Sequence, residues 1–446
     1  MRNTLILISL WITLSIVVVA CHSSLASSPS LLEQALLKSG SNRSELEKVL
    51  AHYSQRETDS LKLQAATFFI ENIPGHYSYY GASLDEYRDS VNRSAAMRKL
   101  PWHIGQIFHQ LSPYQACLYV NSRMMEEMNL ARLDSVCFSH LLVGKKDVLS
   151  FGCPEFVPVT VLVMRALGIP ISAESIEQWS SRSGKHYWNA VYHFTGLHYP
   201  FTGFESRPRG LNQDYKMNKV YRHTYRHNPR ALIDHADDES VPIFFENRFL
   251  QDVTSEYMTC HDITVSLDYE PDDNQEYAYL CVFNNSHWIP VHYGKRDGLK
   301  VTFTDIGPET MFVAGYFQDD EIQPASLPFY VRLDGTGHYI SPSKTEQVSL
   351  TIHRKYPLFH RLNKNTQVVK IKYLPRTDSN HVMVGDTYEL LYYNNYTFQL
   401  IGNQEVIKPF LTFQEIPMGG LYLLVDKNRG KEHRIFTIGN EKVRFW

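Results

Sequence analysis

The sequence predicts an α+β chain: a helical N-terminal region, a compact helix-and-strand core, then two all-β sandwich-like domains. Three observations predict it. Apolar residues recur at helical spacing between residues 31 and 73. One helix-length apolar run, residues 154–167, is followed directly by strand-like segments. From about residue 241 onward, short alternating segments separated by turn residues continue to the C-terminus. The expected boundaries are 1–21 for a targeting segment, 22–134 for the helical region and 135–235 for the core. The β domains follow at 241–355 and 365–446.

The chain has 446 residues, of which 43% are hydrophobic, enough for several cores. Its net charge of −3 argues against a nucleic-acid binder and supplies no steering field. Arg2, the apolar run 5–19 and the small residues before Cys21 make an export signal too short for a confident membrane span. Val18-Val19-Ala20-Cys21 resembles a bacterial lipobox, which implies a lipidated Cys21 as mature N-terminus. The alternative is an ordinary signal peptide cut nearby, for instance after Ala26. Either way the protein is exported. The lipobox reading places it in the cell envelope on a lipid anchor, with the outer membrane expected and its face left open.

Helices are expected around Leu31–Leu37, over 44–53 with a Ser44/Glu47 capping box, and over 59–73 ending at Pro74-Gly75. The aromatic stretch 75–80 reads as a loop packed on the core. Met124, Met125 and Met128 read as filling a helix–core contact.

The core is built around residues 150–208. Phe156, Val159, Leu162, Val163, Ala166 and Leu167 share one helical face, Pro154 suits the first turn, and Gly168 and Pro170 stop the helix. Pro158 is expected to kink it. Cys153 therefore lies at a helix N-terminus, where the dipole favours a thiolate, the form a nucleophilic cysteine needs. Strands are expected over 169–176, over 186–194 with His186 opening it, and over 197–204. Five cysteines follow Cys21, an odd number that leaves one thiol free. The other cysteines are expected to be paired or buried, with no disulfide assigned between Cys260 and Cys281; no metal or cofactor is expected. His223 and His227 lie on an alternating pattern that keeps them from converging on a metal.

The order cysteine, helix, strand, histidine, strand resembles the transglutaminase-like superfamily of papain-type thiol enzymes. The resemblance rests on Gly152-Cys153, on the helix end Arg165-Ala166-Leu167-Gly168-Ile169-Pro170, and on Gly184-Lys185-His186-Tyr187-Trp188-Asn189; it covers roughly residues 135–210. It implies Cys153 as nucleophile and His186 as base. Thr202 stands where the family usually has an Asp, and Glu205, three residues on, is the alternative third group. Trp179, Tyr187 and Trp188 are the aromatic residues expected to line a substrate cleft. The helical prelude and residues 385–436 resemble exported lipoproteins of Bacteroidetes type with a galactose-binding-like C-terminal sandwich.

Two functions follow from the resemblance. One is hydrolysis of an amide in a peptide or glycopeptide. The other is an inactive thiol fold serving as a glycan- or protein-binding scaffold.

Overall fold

A computed structural model describes residues 29–76, 111–133, 152–210, 216–237, 239–271, 275–284, 286–343, 345–354, 360–362, 369–371, 381–428, 433–439 and 442–446. The export signal with Cys21, the aromatic residues 77–80 and Cys137 lie outside these residues. The chain divides into two units, residues 1–78 and 79–446.

The first unit contains α1 (Leu31–Lys38), α2 (Arg43–Ser54) and α3 (Ser60–Asn72). Ser30 caps α1 by accepting the Glu33 N–H at 3.2 Å. The Ser44/Glu47 capping box does not form. A 3₁₀ turn at Gly40–Asn42 starts the helix one residue earlier, and Glu47 pairs with Arg43 at 2.7 Å. Ala35, Leu36 and Ile70 are buried together as the small core.

Among the described residues, the first elements of the second unit are α4 (Pro113–Leu133) and α5 (Cys153–Ala166). A five-stranded antiparallel sheet follows, ordered β3-β2-β1-β4-β5, from β1 (Ile171–Ile176), β2 (His186–Tyr192), β3 (His198–Phe201), β4 (Tyr221–His223) and β5 (Leu250–Asp252). Ala116, Cys117, Val120 and Met124 of α4 share one core with Phe156 and Met164 of α5 and with Ile171, Val191 and Phe201 of the sheet. Thus α4, assigned from sequence to the N-terminal helical region, is structurally part of the core. Pro158 sits inside a continuous α5. β3 is shorter than expected because the chain turns at Thr202, whose carbonyl accepts the N–H groups of Glu205 and Ser206.

Eight strands then form one antiparallel sheet: β6 (His261–Ser266), β7 (Tyr277–Asn284), β8 (His287–Asp297), β9 (Lys300–Ile306), β10 (Met311–Gln318), β11 (Glu321–Pro324), β12 (Phe329–Val331) and β13 (Gly337–Tyr339). The sheet order runs from β13 to β6, and its two ends approach. His261 Nε2 meets the Leu333 carbonyl at 3.1 Å, and a Cβ on Gly337 would reach Ile263 Cδ1 at 2.9 Å. Val265, Leu280, Val301, Phe303, Phe312 and Phe329 fill the interior of this roll.

The last domain comprises β14 (Gln347–Ile352), β15 (His360–Leu362), β16 (Val369–Ile371), β17 (Thr387–Asn394), β18 (Thr397–Glu405), β19 (Leu411–Pro417), β20 (Leu421–Asp426), β21 (Ile435–Gly439) and β22 (Lys442–Phe445). β14, expected to close the preceding domain, instead pairs with β19. Its Leu350 and Ile352 pack with Phe413, facing Tyr388, Leu390 and Phe436 of the sheet β18-β17-β20-β21-β22. That arrangement of two sheets over one apolar core is sandwich-like. Trp446 follows β22 and is buried. The chain is therefore α+β with a β-rich C-terminal region, as composition and periodicity predict.

Candidate active site

Gly152 is the N-cap of α5, and Glu155 reaches back to accept its N–H at 3.0 Å. That bond fixes the first helical turn, which carries Cys153. The thiol is half-buried. Burial pushes its pKa up, the largest effect; its own backbone N–H and that of Tyr187 pull it down, and the Glu205 and Glu155 carboxylates push it up again. The balance keeps the sulfur protonated above the ordinary range, the opposite of what the helix dipole alone predicts.

A neighbouring loop brings Glu205 to this thiol. Phe204 holds a left-handed φ of 66° and lies against Phe156 of α5, ring centroids 5.3 Å apart. Its N–H donates to Asn121 Oδ1 at 3.2 Å, while Asn121 Nδ2 donates to the Ser206 carbonyl at 2.9 Å. Gly203 packs so closely on α5 that a Cβ would fall 1.8 Å from Thr160 Oγ1. Thr202 is buried at the base of this turn, with its N–H donated to Ser206 Oγ at 2.8 Å.

His186 opens β2 opposite Ile176, the last residue of β1. Its ring is stacked between Trp179, at 5.6 Å, and Trp188, at 5.8 Å. Burial, with the Arg182 guanidinium second, pushes its pKa down to about 4. The sulfur and the imidazole are not hydrogen-bonded to each other.

Strand alternation explains this arrangement. Asn189 and Val191 face α5: Asn189 Nδ2 donates to the Val157 carbonyl at 3.1 Å, and Val191 joins the helix–sheet core. Trp188 packs instead with Trp179, Met217, Val220 and Val253. Tyr187 is the residue of this segment that meets Cys153, through its backbone N–H and through its phenol, whose pKa burial raises with Cys153 contributing. Of the three aromatic cleft candidates, Trp179 and Trp188 are thus buried around His186, and half-buried Tyr187 lies beside the thiol.

Sequence reasoning missed a second polar constellation on the sheet. Glu174 of β1 is fully buried and accepts from Ser172 Oγ at 2.8 Å, Tyr192 Oη at 3.1 Å, Arg222 Nε at 2.8 Å and Tyr257 Oη. Arg222 also grips Glu256 through both terminal nitrogens, at 2.9 and 2.5 Å, and Trp188 Nε1 donates to Tyr257 Oη at 2.7 Å. The available signal was a carboxylate at the centre of the otherwise uncharged strand Ile171–Ile176.

His223 Nε2 lies 2.9 Å from Ser175 Oγ, and His227 Nε2 lies 2.8 Å from Asp234 Oδ2, so the two histidines have separate partners. Among the described residues no group of three or more His, Cys, Asp or Glu side chains is arranged to hold a metal. Among the same residues no helix is long and apolar enough to cross a membrane. No protein-family model matches the chain, and a comparison with curated proteins finds no match.

Proposed function

We propose that this chain is an exported, lipid-anchored transglutaminase-like thiol enzyme that hydrolyses an amide bond in a peptide or glycopeptide through Cys153 and His186. The observation that carries the reading is the setting of the thiol: it starts α5, half-buried, and Tyr187, the residue after His186, lies beside it. In this reading the Cys153 sulfur attacks the amide carbon and His186 takes the thiol proton. The backbone N–H at the helix start stabilises the oxyanion. The amine leaves with the proton from His186, and water, deprotonated by the same imidazole, releases the acid and restores the thiol. Both groups rest neutral, so the proton moves during attack rather than before it, and substrate must bring imidazole and sulfur together.

The test is alkylation of Cys153 by iodoacetamide across pH, followed by intact mass, in the wild type and in His186→Ala. Rapid labelling near neutral pH in the presence of substrate-like peptides, slowed strongly by the mutation, supports the enzyme. An ordinary thiol profile in both proteins under all conditions rejects it.

A specific observation favours the other reading, an inactive scaffold that binds glycan or protein. The imidazole is clamped between two indoles, and the carboxylate at the third position acts on the sulfur, where it disfavours the thiolate. In the family pattern that group orients the imidazole. An ordinary thiol profile is the outcome this scaffold reading expects.

A further inference from the structure

The pairing of Cys153 with His186 gives no role to Glu174, a carboxylate with no exposed surface. A buried charge is expensive unless it is paired and hydrogen-bonded. Ser172 and Ile176, its neighbours on the same face of β1, are uncharged, so the strand itself does not call for it.

Its two oxygens are used differently. Oε1 accepts from Ser172 Oγ at 2.8 Å, Tyr192 Oη at 3.1 Å and Arg222 Nε at 2.8 Å. Oε2 accepts from Tyr257 Oη. A phenol has one hydrogen, and this one goes to Glu174, so Tyr257 Oη meets its other neighbour as an acceptor. That neighbour is Trp188 Nε1, a donor only, at 2.7 Å. The chain therefore has a fixed direction, from indole N–H to phenol to carboxylate, and the charge at its end strengthens both bonds.

Three elements supply the chain. Glu174 of β1 stands directly across from Trp188 of β2. Tyr257 follows the 3₁₀ turn Thr254–Glu256 after β5, and its N–H donates to the Thr254 carbonyl at 2.9 Å. Its ring meets the Trp188 indole edge-on, centroids 5.6 Å apart at 78°. The indole is thus fixed in rotation as well as in place. It stacks on His186, two residues back on the same face of β2, with the planes 30° apart. Tyr187, beside the thiol, points to the other face. Trp179 and Arg182, from the segment between β1 and β2, are the second ring and the charged group that act on this imidazole.

We propose that Glu174, acting through Tyr257 and Trp188, is a positioning residue for His186, holding the imidazole in the resting place from which substrate must draw it to the sulfur. This role rests on the reading of His186 as the base, but it is tested on the imidazole itself.

The experiment is a pH titration of the His186 ring by proton–carbon NMR on the full chain, its signal assigned by its loss in His186→Phe. Tyr257→Phe keeps the ring and breaks the link. Tyr192→Phe takes a donor from the same carboxylate and leaves the chain to Trp188 intact. With the indole free to turn, the imidazole gains water, so in Tyr257→Phe its midpoint should rise from about 4 toward 6.5, by about 1 pH unit. Tyr192→Phe should leave it in place. Glu174→Gln should also raise it, against the sign of simple electrostatics, since losing a negative charge makes an imidazolium harder to form. If circular dichroism shows that Tyr257→Phe does not fold, Glu174→Gln decides. Three results overturn the proposal: an unchanged midpoint in Tyr257→Phe, an equal rise in Tyr192→Phe, or a fall in Glu174→Gln. A raised midpoint in Tyr257→Phe beside an ordinary Cys153 thiol profile rejects the enzyme alone and leaves the positioning of His186 standing.

Discussion

Two backbone N–H groups and two carboxylates act on the Cys153 sulfur, and burial outweighs them all. The carboxylate effect is separable. Glu205 is exposed and its charge disfavours the thiolate, so Glu205→Gln should lower the thiol pKa and speed alkylation below that pKa. The gain should stay under about fivefold, since a unit charge about 4 Å away in water is worth about 1 kcal/mol. Unchanged or slower labelling in Glu205→Gln would remove Glu205 from the site. His186 supports a second measurement. Its folded pKa of about 4 lies below its ordinary value of 6.5, so the imidazole is neutral in both folded and unfolded chains above about 6.5. As pH falls below that, the unfolded chain binds a proton that the folded chain refuses, and stability is lost until the folded group titrates near 4. At about 1.36 kcal/mol per pH unit the loss approaches roughly 3 kcal/mol, an upper bound for a ring that keeps some solvent contact. His186→Phe preserves a ring between Trp179 and Trp188 while removing the titration. Its melting temperature should therefore fall less than that of the wild type between pH 7 and pH 4.5; parallel curves would refute the assignment.

The loop at residues 202–206 and α5 form one packed element, and Gly203 is the point of closest approach. A Cβ there would lie 1.8 Å from Thr160 Oγ1 and 2.7 Å from Thr160 Cβ, and Thr160 is fully buried with its hydroxyl tied to the Phe156 carbonyl at 2.8 Å. Gly203→Ala should destabilise by about 1–3 kcal/mol through overpacking. Thr160→Ala should recover part of that in the double variant, because it removes the hydroxyl and methyl but leaves the Cβ contact. Urea unfolding of the four proteins in the cycle measures this, and strict additivity would contradict the contact. The elements themselves were legible in the sequence. The apolar period and the Gly168/Pro170 stop marked α5 to within a residue or two, and turn residues marked β1 and β2. Which face of β2 meets α5 was not legible. In His-Tyr-Trp-Asn-Ala-Val-Tyr the inner residues Trp188, Asn189, Ala190 and Val191 are all buried, so alternation gives no inside and outside. The pairing of β14 with β19 was hidden for a related reason: its alternation is genuine, but alternation does not say which sheet a strand joins.

At the scale of the second unit, the five-stranded sheet, the rolled eight-stranded sheet and the C-terminal sandwich meet at the segment between β1 and β2, and a single side chain touches all three. Arg434, 1% exposed, donates from Nη2 to the Ser180 carbonyl at 2.6 Å, from Nη1 to the Phe283 carbonyl at 3.5 Å, and from Nε to the Trp446 carbonyl at 3.3 Å. Other contacts converge on the same segment. Asn284 Nδ2 donates to Gln178 Oε1 at 2.8 Å, Asn218 Nδ2 donates to the Gln178 carbonyl at 2.6 Å, and Thr310 donates to Ser180 Oγ at 2.9 Å. This segment carries Trp179, which stacks on His186. None of this was readable from local pattern, because Arg434 stands 254 residues from Ser180 in sequence. The planar fork of a guanidinium suits three diverging carbonyls in a way no other side chain matches. Arg434→Met keeps the volume and removes the donors, leaving buried carbonyls unpaired at about 1–3 kcal/mol each. The substitution should therefore cost several kcal/mol in total, well beyond a surface change. It should also weaken the coupling between domains, so that calorimetry resolves a separate, earlier transition for the C-terminal sandwich. Because the Trp179 segment loses its anchor, the Trp179–His186 stack should loosen as well, seen as faster proteolysis at the exposed residues Gly184 and Lys185. A single transition with an unchanged midpoint, and a cleavage rate equal to that of the wild type, would show that the three parts hold together without Arg434.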